Sequence, residues 1–343
     1  MNIFDRDGWP NFSEDDGLLS MRANIIVIWG ARGTGKTYTI LKRMCEEKAH
    51  YLYLRRSPAQ VETIAADAAM WPFTPINRDM GWNYVPRKVK GARCMWKVCD
   101  GEDDESPRGT VSSVVSLGRT RGFSSPDTDY IILDEYQKDD LDFYRKGEGA
   151  GLANVYETVS RNRELQGNKP CTMILMSNAV GMANPYYMQW DIVDTVDKMI
   201  GTRRRWLLLP ERGILLVDMA DSPVAEKKKN TALYRSLAGT DFYRSALENE
   251  YAAEERSETG SRRLKEYRPV VTAGRLTVYE SKGRREYYVC EHRSGSCPQY
   301  GTGHYDLERF RSRYAPLYRA YMNRIIVFEK YSDEIYFREL WTS

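Results

Sequence analysis

The sequence GARGTGKT at residues 30–37 constrains this chain most, because it matches the phosphate-binding loop pattern G-x-x-x-x-G-K-[ST]. An apolar run at residues 24–28 predicts a buried strand before the loop, and residues 36–48 predict a helix after it. In that context the glycines let successive N–H groups point at a phosphate near the positive end of the helix. A glycine-rich turn that carries GKT by chance is the alternative. The predicted phosphate loop consists of Gly30, Ala31, Arg32, Gly33, Thr34, Gly35, Lys36 and Thr37.

Within this loop, two side chains have predicted roles of their own. We expect Lys36 to contact the β and γ phosphates of ATP and the Thr37 hydroxyl to bind Mg²⁺. A second apolar run, in the sequence DYIILDEY, ends in Asp134 and Glu135. Asp134 would hold Mg²⁺, and Glu135 would be the general base that orients the attacking water. A polar turn after a strand is the alternative, but a glutamate here favours ATP hydrolysis over transfer by a kinase, which must exclude water.

Polar and basic residues near these motifs complete the predicted catalytic set. Asn178 follows the next apolar strand, where it could sense the γ-phosphate or orient water, and capping of the following turn is the alternative. Phosphoryl transfer also needs a cation at the transition state, often from a neighbouring subunit. The two candidates are Arg161, at the end of a predicted helix, and Arg121, in a Gly/Ser-rich loop. Arginines at helix ends more often cap carbonyls or pair with acids.

Length and composition set the class of protein. With 343 residues, 42% of them hydrophobic, the chain can form one large or two modest folded domains. No apolar run reaches the roughly 20 residues that a membrane helix needs, and the acidic N-terminus lacks an apolar signal region. The six cysteines do not make a disulfide framework in a chain of this size, so we expect a reducing cytoplasm.

Charge is unevenly distributed, although the net charge is only +3. Residues 261–330 contain 15 Lys and Arg against 7 Asp and Glu. A basic C-terminal region favours an anionic polymer as partner, and a solvated basic face without a partner is the alternative. The candidate DNA contacts are Lys227, Lys228, Lys229, Arg284 and Arg285.

Continuous apolar runs predict an α/β domain with a parallel sheet over residues 1–210. Its strand candidates are residues 24–28, 51–54, 130–133 and 172–176, with helices at 36–48, 58–70 and 152–161, a hairpin inserted at 94–117, and short apolar strands at 206–209 and 214–217. Residues 211–260 predict a charged helical linker. Residues 261–343 predict a smaller α+β domain with a hairpin at 275–291, a helix at 307–323 that Pro316 should break or kink, and a strand at 324–328.

Taken together, several strings resemble the DNA-encapsidation ATPases of small short-tailed Bacillus-type phages, relatives of the large-terminase and FtsK/HerA-type translocases. The strings are GARGTGKT, YLYLRRSP, DYIILDEY, RNRE and MSNAVGMANPYY, and the last two are the most specific. The resemblance is dense over residues 25–187 and weak beyond. It implies a P-loop NTPase of the additional-strand, catalytic-glutamate type, with Arg161 entering the neighbouring subunit's site. Arg55 and Arg56 match the family's paired arginines, but Ser57 and Pro58 stand where the family can carry a lysine.

The resemblance also implies partners and a place of action. The chain would form a homo-oligomeric ring, a pentamer by family likeness, that hydrolyses ATP with Mg²⁺ and packages double-stranded viral DNA. It would act in the cytoplasm of the infected bacterial host and transiently on the procapsid, at its portal or connector, with a packaging RNA left open. The C-terminal domain would be a degenerate ribonuclease H-like fold that binds nucleic acid. Glu280, Glu286 and Glu291 lie apart on the predicted hairpin, each beside basic residues, so we expect no two-metal nuclease.

Two alternatives from other classes stay open. A nucleotide-binding regulatory switch would need neither DNA stimulation nor a trans arginine, but it has little use for Glu135. A cellular DNA-mobilising ATPase would share the chemistry and differ only in context. A separate group, Cys290, His292, Cys297 and His304, is close to a zinc ligand set, although its C-x-H spacing is unusual. Harmless accumulation of such residues in a Gly/Ser-rich loop is the alternative.

Overall fold

The computed structural model describes residues 1–118, 127–138, 142–161, 163–178, 181–240, 243 and 256–342. The chain divides into two compact units. The first comprises Met1–Trp190 and Val196–Ala252, and the second comprises Asp191–Thr195 and Ala253–Ser343. None of the helices in the described ranges is long and apolar enough to cross a membrane.

Strands and helices alternate along the first part of the chain. The strands are β1 (Ile25–Gly30), β2 (Tyr51–Arg55), β3 (Tyr84–Lys88), β4 (Met95–Asp100), β5 (Gly109–Ser113), β6 (Tyr130–Asp134), β7 (Thr172–Ser177), β8 (Trp206–Leu209) and β9 (Ile214–Met219). The helices are α1 (Lys36–Glu46), α2 (Pro58–Ala66), α3 (Thr74–Met80), α4 (Val114–Leu117), α5 (Glu148–Ser160), α6 (Pro185–Gln189), α7 (Val193–Gly201), α8 (Pro223–Lys229) and α9 (Ala232–Ser236).

These strands of the described chain form one sheet in the order β3-β4-β5-β2-β6-β7-β1-β9-β8. The strands from β5 to β9 in that order pair in parallel, whereas β3, β4 and β8 pair antiparallel with their neighbours. Ile26 and Ile28 on β1 are fully buried, as expected for a central parallel strand with both faces covered. The predicted α/β fold with a mostly parallel sheet is confirmed. Because β7 lies between β1 and β6, the carboxyl ends of these three strands meet at one edge.

Local sequence signals explain where several elements begin. Helix α2 starts with a capping box, in which the Ser57 hydroxyl accepts from the Gln60 N–H and the Gln60 side chain accepts from the Ser57 N–H. The helix ends at Ala66, short of the predicted residue 70, and α3 follows without having been predicted. The predicted hairpin is confirmed by the antiparallel pairing of β4 with β5. However, Val114–Leu117 forms the helix α4, because Ser113 caps its N-terminus.

The predicted domain boundary after residue 210 is wrong. Strand β9 pairs with β1, with Ile214 beside Ile25, so the sheet continues to Met219. Helices α8 and α9 also belong to the first unit. The prediction relied on a shift in composition, and that shift begins only after β9. Residues 241–242 and 244–255 of the predicted linker lie outside the described residues.

The second unit is a five-stranded sheet with two helices within the described residues. Its elements are β10 (Tyr267–Ala273), β11 (Leu276–Ser281), β12 (Tyr287–Cys290), β13 (Gln299–Tyr300), α10 (His304–Met322), β14 (Ile326–Phe328) and α11 (Tyr331–Thr342), with the strand order β13-β10-β11-β12-β14. Strands β11 and β12 are antiparallel, which confirms the predicted hairpin, whereas β10 and α11 were not predicted. The core contains Phe310, Phe328 and Phe337. The likeness to ribonuclease H stays a prediction.

Helix α10 shows the irregularity expected from Pro316. Tyr314 has non-helical angles, with φ −110° and ψ 21°, inside the helix. A proline ring clashes with the carbonyl of the preceding turn and removes one hydrogen bond, so the distortion lies just before the proline. The predicted kink is confirmed.

Candidate functional site

The predicted phosphate loop lies between β1 and α1, at the carboxyl edge of the sheet. Gly33 and Gly35 have φ values of 64° and 81°, in the left-handed region that favours glycine. Close packing adds a second requirement, because a Cβ on Gly35 would lie 2.3 Å from the indole ring of Trp9. The glycines therefore allow both the turn of the backbone and its cover by the N-terminal segment.

Lys36 is buried inside the curve of this loop. Its Nζ donates to the carbonyl oxygens of Ala31, at 2.8 Å, and Gly30, at 3.1 Å. Burial lowers the pKa of Lys36 to about 8, against the opposing effect of the nearby Asp134. The ammonium group thus stays mostly charged at neutral pH, as required for pairing with a phosphate.

Thr37 and Asp134 meet as the predicted metal site requires. The Thr37 hydroxyl donates to Asp134 Oδ2 at 2.9 Å, and the Tyr53 hydroxyl donates to the same oxygen at 2.7 Å. A hydroxyl beside a carboxylate at the foot of a phosphate loop fits the oxygen ligands that Mg²⁺ prefers. Sequence reasoning missed Tyr53, which reaches Asp134 because β2 is the neighbour of β6.

Glu135 has an unusual backbone conformation and an arginine partner. Its φ is 57°, which is costly for a residue with a side chain and often marks a functional site. Its carboxylate forms an ion pair with Arg55 Nη1, and Arg55 Nη2 lies 3.5 Å from Asp134 Oδ2. The Arg55 side chain is only 11% exposed, whereas that of Glu135 is 53% exposed. Arg55, at the end of β2, therefore links Asp134, the predicted metal ligand, with Glu135, the predicted general base.

A cavity of about 500 Å³ joins these groups. Its polar lining includes Arg32, Gly33, Thr34, Gly35, Lys36, Thr37, Arg55, Asp134, Glu135, Gln137, Ser177 and Asn178. The Gln137 N–H donates to Ser177 Oγ at 3.1 Å and so ties the segment after β6 to the end of β7. Asn178 lies at the predicted place, and its role as a sensor stays a prediction.

The candidate arginines differ in their surroundings. Arg161 is exposed, follows the last residue of α5, and does not line the cavity of its own chain. Arg163, in the same RNRE string, instead donates to the Thr128 carbonyl and lies 3.6 Å from Asp129. Arg163 is thus engaged within its own chain. Arg121 lies outside the described residues.

Comparison with known proteins decides the family. The model of the family described as podovirus DNA encapsidation protein (Gp16) matches residues 10–273, well over half of the chain. The chain belongs to this family.

Individual relatives agree with the assignment to the Gp16 family. The DNA packaging protein of Bacillus phage B103 is 25% identical over 241 residues, which are 68% of this chain and 66% of that protein. The chain therefore spans just under two thirds of this relative's length. A chain of the bacteriophage Phi-29 viral genome packaging motor assembly has a TM-score of 0.65 at 17% identity, with 99% of each chain covered. The Phi-28 gp11 DNA packaging motor gives 0.65 at 15%, with 93% of this chain and 94% of that chain covered. At such identities the likeness shows the fold.

In this member of the Gp16 family, the three lysines predicted to bind DNA have different environments. Lys227 is exposed, and Lys229 lies 2.6 Å from Glu226. Lys228 instead lies against the phosphate loop, where its Nζ donates to the Arg32 carbonyl at 2.9 Å. Lys228 was predicted to contact DNA, and its position on the phosphate loop was not expected from the sequence. Arg284 and Arg285 are exposed in the turn between β11 and β12, and their contact with DNA stays a prediction.

The Cys/His group is not arranged as a zinc ligand set among the described residues of this Gp16-family chain. Among the described residues, no three His, Cys, Asp or Glu side chains are placed to hold a metal ion. Cys290 Sγ lies 3.6 Å from the His292 carbonyl, and Cys297 Sγ lies 3.5 Å from the Thr272 hydroxyl. His304 pairs with Glu308. Cys297 and His304 thus contact residues outside the group, and the arrangement of the described residues does not support the zinc hypothesis.

The three hairpin glutamates each pair with an arginine rather than with one another. The pairs are Glu280 with Arg268, Glu286 with Arg262 and Glu291 with Arg275. Such dispersed pairs differ from the converging carboxylates of a two-metal nuclease. The absence of nuclease activity stays a prediction.

Proposed function

We propose that this chain is the ATPase of a viral DNA packaging motor and uses ATP hydrolysis to move double-stranded DNA into a procapsid. The observation that carries the proposal is the meeting of Lys36, the Thr37–Asp134 pair and Glu135 at one cavity. Its occurrence in a chain of the Gp16 family, among relatives named as DNA packaging proteins, gives the chemistry its context.

The loop residues bind the phosphate chain of ATP. Lys36 pairs with the phosphate charge, and the N–H groups at the start of α1 donate to phosphate oxygens. Thr37 and Asp134 would hold Mg²⁺, which offsets phosphate charge when it is bound. Tyr53 holds one carboxylate oxygen of Asp134 through its hydrogen bond and so fixes the orientation of the carboxylate.

Glu135 acts as the general base for the attacking water. Its side chain is half exposed and lines the cavity, so water can reach it. The ion pair with Arg55 occupies one carboxylate oxygen, so this oxygen is held by the guanidinium group and not by the attacking water. Efficient hydrolysis therefore requires this ion pair to loosen.

Arg161 reaches the nucleotide site of a neighbouring subunit and supplies the cation beside the phosphates there. Its exposure and its absence from the lining of the cavity of its own chain support a role in trans. Interfacial sites imply a closed ring, and a pentamer on the procapsid portal in the host cytoplasm is the form we propose. Exposed basic residues such as Lys227, Arg284 and Arg285 would grip DNA phosphates without regard to sequence.

Steady-state ATP hydrolysis with and without long double-stranded DNA tests the proposal. Glu135→Gln and Arg161→Ala should each lower DNA-stimulated turnover by about 100-fold or more and leave ATP binding nearly intact. A mixture of the two inactive variants is the matched control for the trans assignment. A mixed ring contains interfaces with both an intact Glu135 and an intact Arg161, so the mixture should regain activity.

Each outcome has a distinct meaning. Wild-type turnover in Glu135→Gln would refute the assignment of the base. A mixture that stays inactive would refute the trans role of Arg161. Turnover that depends on Glu135 but ignores DNA, even with the portal added, would favour a nucleotide switch.

A further inference from the structure

A second lysine, Lys228, lies on the phosphate loop although it is far from that loop in sequence. Its Nζ donates to the Arg32 carbonyl at 2.9 Å. A Cβ on Gly33 would lie 2.0 Å from the same Nζ, so the ammonium group rests directly against the backbone of the loop. Only a glycine at position 33 leaves room for this contact.

The sequence of α8 explains why Lys228, and not its neighbours, reaches the loop. Ala225 is fully buried and packs with Ala31 of the loop and with Tyr234. Lys228 is three residues after Ala225 and therefore projects from the same face of the helix. Lys227 falls on the exposed side, and Lys229 pairs with Glu226.

The electrostatics of this position favour an anion. Burial lowers the pKa of Lys228, and no carboxylate of the described residues opposes that effect. Lys228 also disfavours the charged form of Lys36, so two ammonium groups share one loop. Among the described residues, the partner of the Lys228 ammonium group is a carbonyl, and a partly buried cation in this position gains most from a charged ligand. The phosphate chain of a nucleotide is the ligand for which this loop is built.

We propose that Lys228 is a phosphate-binding residue of the nucleotide site, which exchanges the Arg32 carbonyl for a phosphate oxygen when ATP binds. This inference rests on the nucleotide site of the proposed function and adds a ligand from outside the phosphate-loop motif. It also gives α8 a role, because a lysine bonded to the phosphates fixes this helix against the loop.

Calorimetric titration of the full chain with ATPγS and Mg²⁺ tests the inference. Lys228→Gln keeps a hydrogen-bond donor of similar length but carries no charge, so it should fold and bind about tenfold more weakly. Lys228→Arg should recover part of the loss. Lys198→Gln, at an exposed position of α7, removes the same charge elsewhere and is the matched control, which should bind within about twofold of wild type. Lys36→Ala shows whether binding uses the loop at all.

The outcomes separate this inference from the proposed function. Loss of affinity in Lys36→Ala but not in Lys228→Gln would overturn the inference alone. A folded wild-type chain that does not bind ATPγS would overturn both.

A second measurement does not depend on how the variants fold. In the wild-type chain, the acetylation rate of Lys228, followed by mass spectrometry, should fall several-fold when ATPγS is added, while that of Lys227 stays the same. Equal rates for Lys228 with and without the nucleotide would contradict the inference.

Discussion

Arg56 provides the sharpest test of how this site is supported. Its guanidinium group donates to both carboxylate oxygens of Glu148, at 3.0 and 3.1 Å, and also to Asp142 and to the Phe143 carbonyl, both at 2.7 Å. It stacks on the Tyr144 ring, 4.7 Å from the ring centroid. The side chains of Arg56 and Glu148 are each only 2% exposed. Arg56, which directly follows β2, therefore binds the end of this strand to the segment that leads into α5.

Replacement of Arg56 by Met removes the charge but keeps much of the apolar stem. Glu148 would retain the Tyr186 hydroxyl and the Arg145 N–H as donors, but it would be a buried carboxylate without a cation. Removal of one partner of a buried ion pair costs about 3–5 kcal/mol of unfolding free energy. In urea unfolding we expect the transition midpoint to fall by about 1 M or more.

A second variant separates the buried charge from the lost packing. Glu148→Gln, combined with Arg56→Met, removes the uncompensated charge, and the amide oxygen can still accept from Tyr186. The double variant should recover at least half of the lost unfolding free energy. A loss below about 1 kcal/mol in Arg56→Met would refute the reasoning, since exposed ion pairs are worth no more than that.

Two further predictions concern the catalytic pair and the second unit. Arg55→Gln should raise ATP turnover in the absence of DNA by about two- to tenfold, because the Glu135 carboxylate is no longer held by the Arg55 ion pair and can contact the attacking water; unchanged or lower turnover with intact nucleotide binding would contradict this. Asp333 is fully buried, and burial raises its pKa from the ordinary value near 3.8 to about 6. The folded chain thus holds a proton that the unfolded chain releases between about pH 4 and pH 6, so the wild type loses stability as the pH rises through this window. Asp333→Asn should match the wild type in calorimetric unfolding near pH 4 and exceed it by about 2 kcal/mol at pH 8, whereas an equal difference at both pH values would exclude the titration of this group.

The sequence predicts the central strands of the first unit because the pattern of apolar residues there is clear. Strands β1, β6 and β7 are continuous apolar runs, and each ends in a polar motif of fixed spacing. Elements of mixed polarity were missed, such as β3, which is half-buried, and α11. Helix α11 carries buried Asp333 and Glu334 in its first turn, where a sequence pattern favours exposed residues. Glu334 can be buried because Ser257 and Tyr321 donate to it, and neither is near it in sequence.

At the candidate site, the motif residues were predictable and their partners were not. Lys36, Thr37, Asp134 and Glu135 follow from spacing along the chain. The contacts of Tyr53 and Arg55 with Asp134 depend on β2 being the neighbour of β6, which is a property of strand order. Lys228 depends on the face of α8 that packs on the loop. A run of three lysines is typical of a charged surface. The sequence does not show that one of the three, Lys228, faces the phosphate loop.

The paired arginines show how one strand end can serve two purposes. Successive side chains at the end of a strand point to opposite sides. Arg55, the last residue of β2, therefore reaches Asp134 and Glu135, while Arg56 points the other way and binds Glu148. Glu148 is the first residue of α5, and Arg161 directly follows the last residue of that helix. Arg55 thus contacts Glu135, the proposed base of the chain's own site. Its neighbour Arg56 contacts the start of α5, the helix that precedes Arg161. A shift of the end of β2 that loosens Arg55 from Glu135 must also act on Arg56 and on the start of α5. With the roles proposed for Glu135 and Arg161, we expect hydrolysis in one subunit and the supply of a cation to the next to be coupled through Arg55 and Arg56.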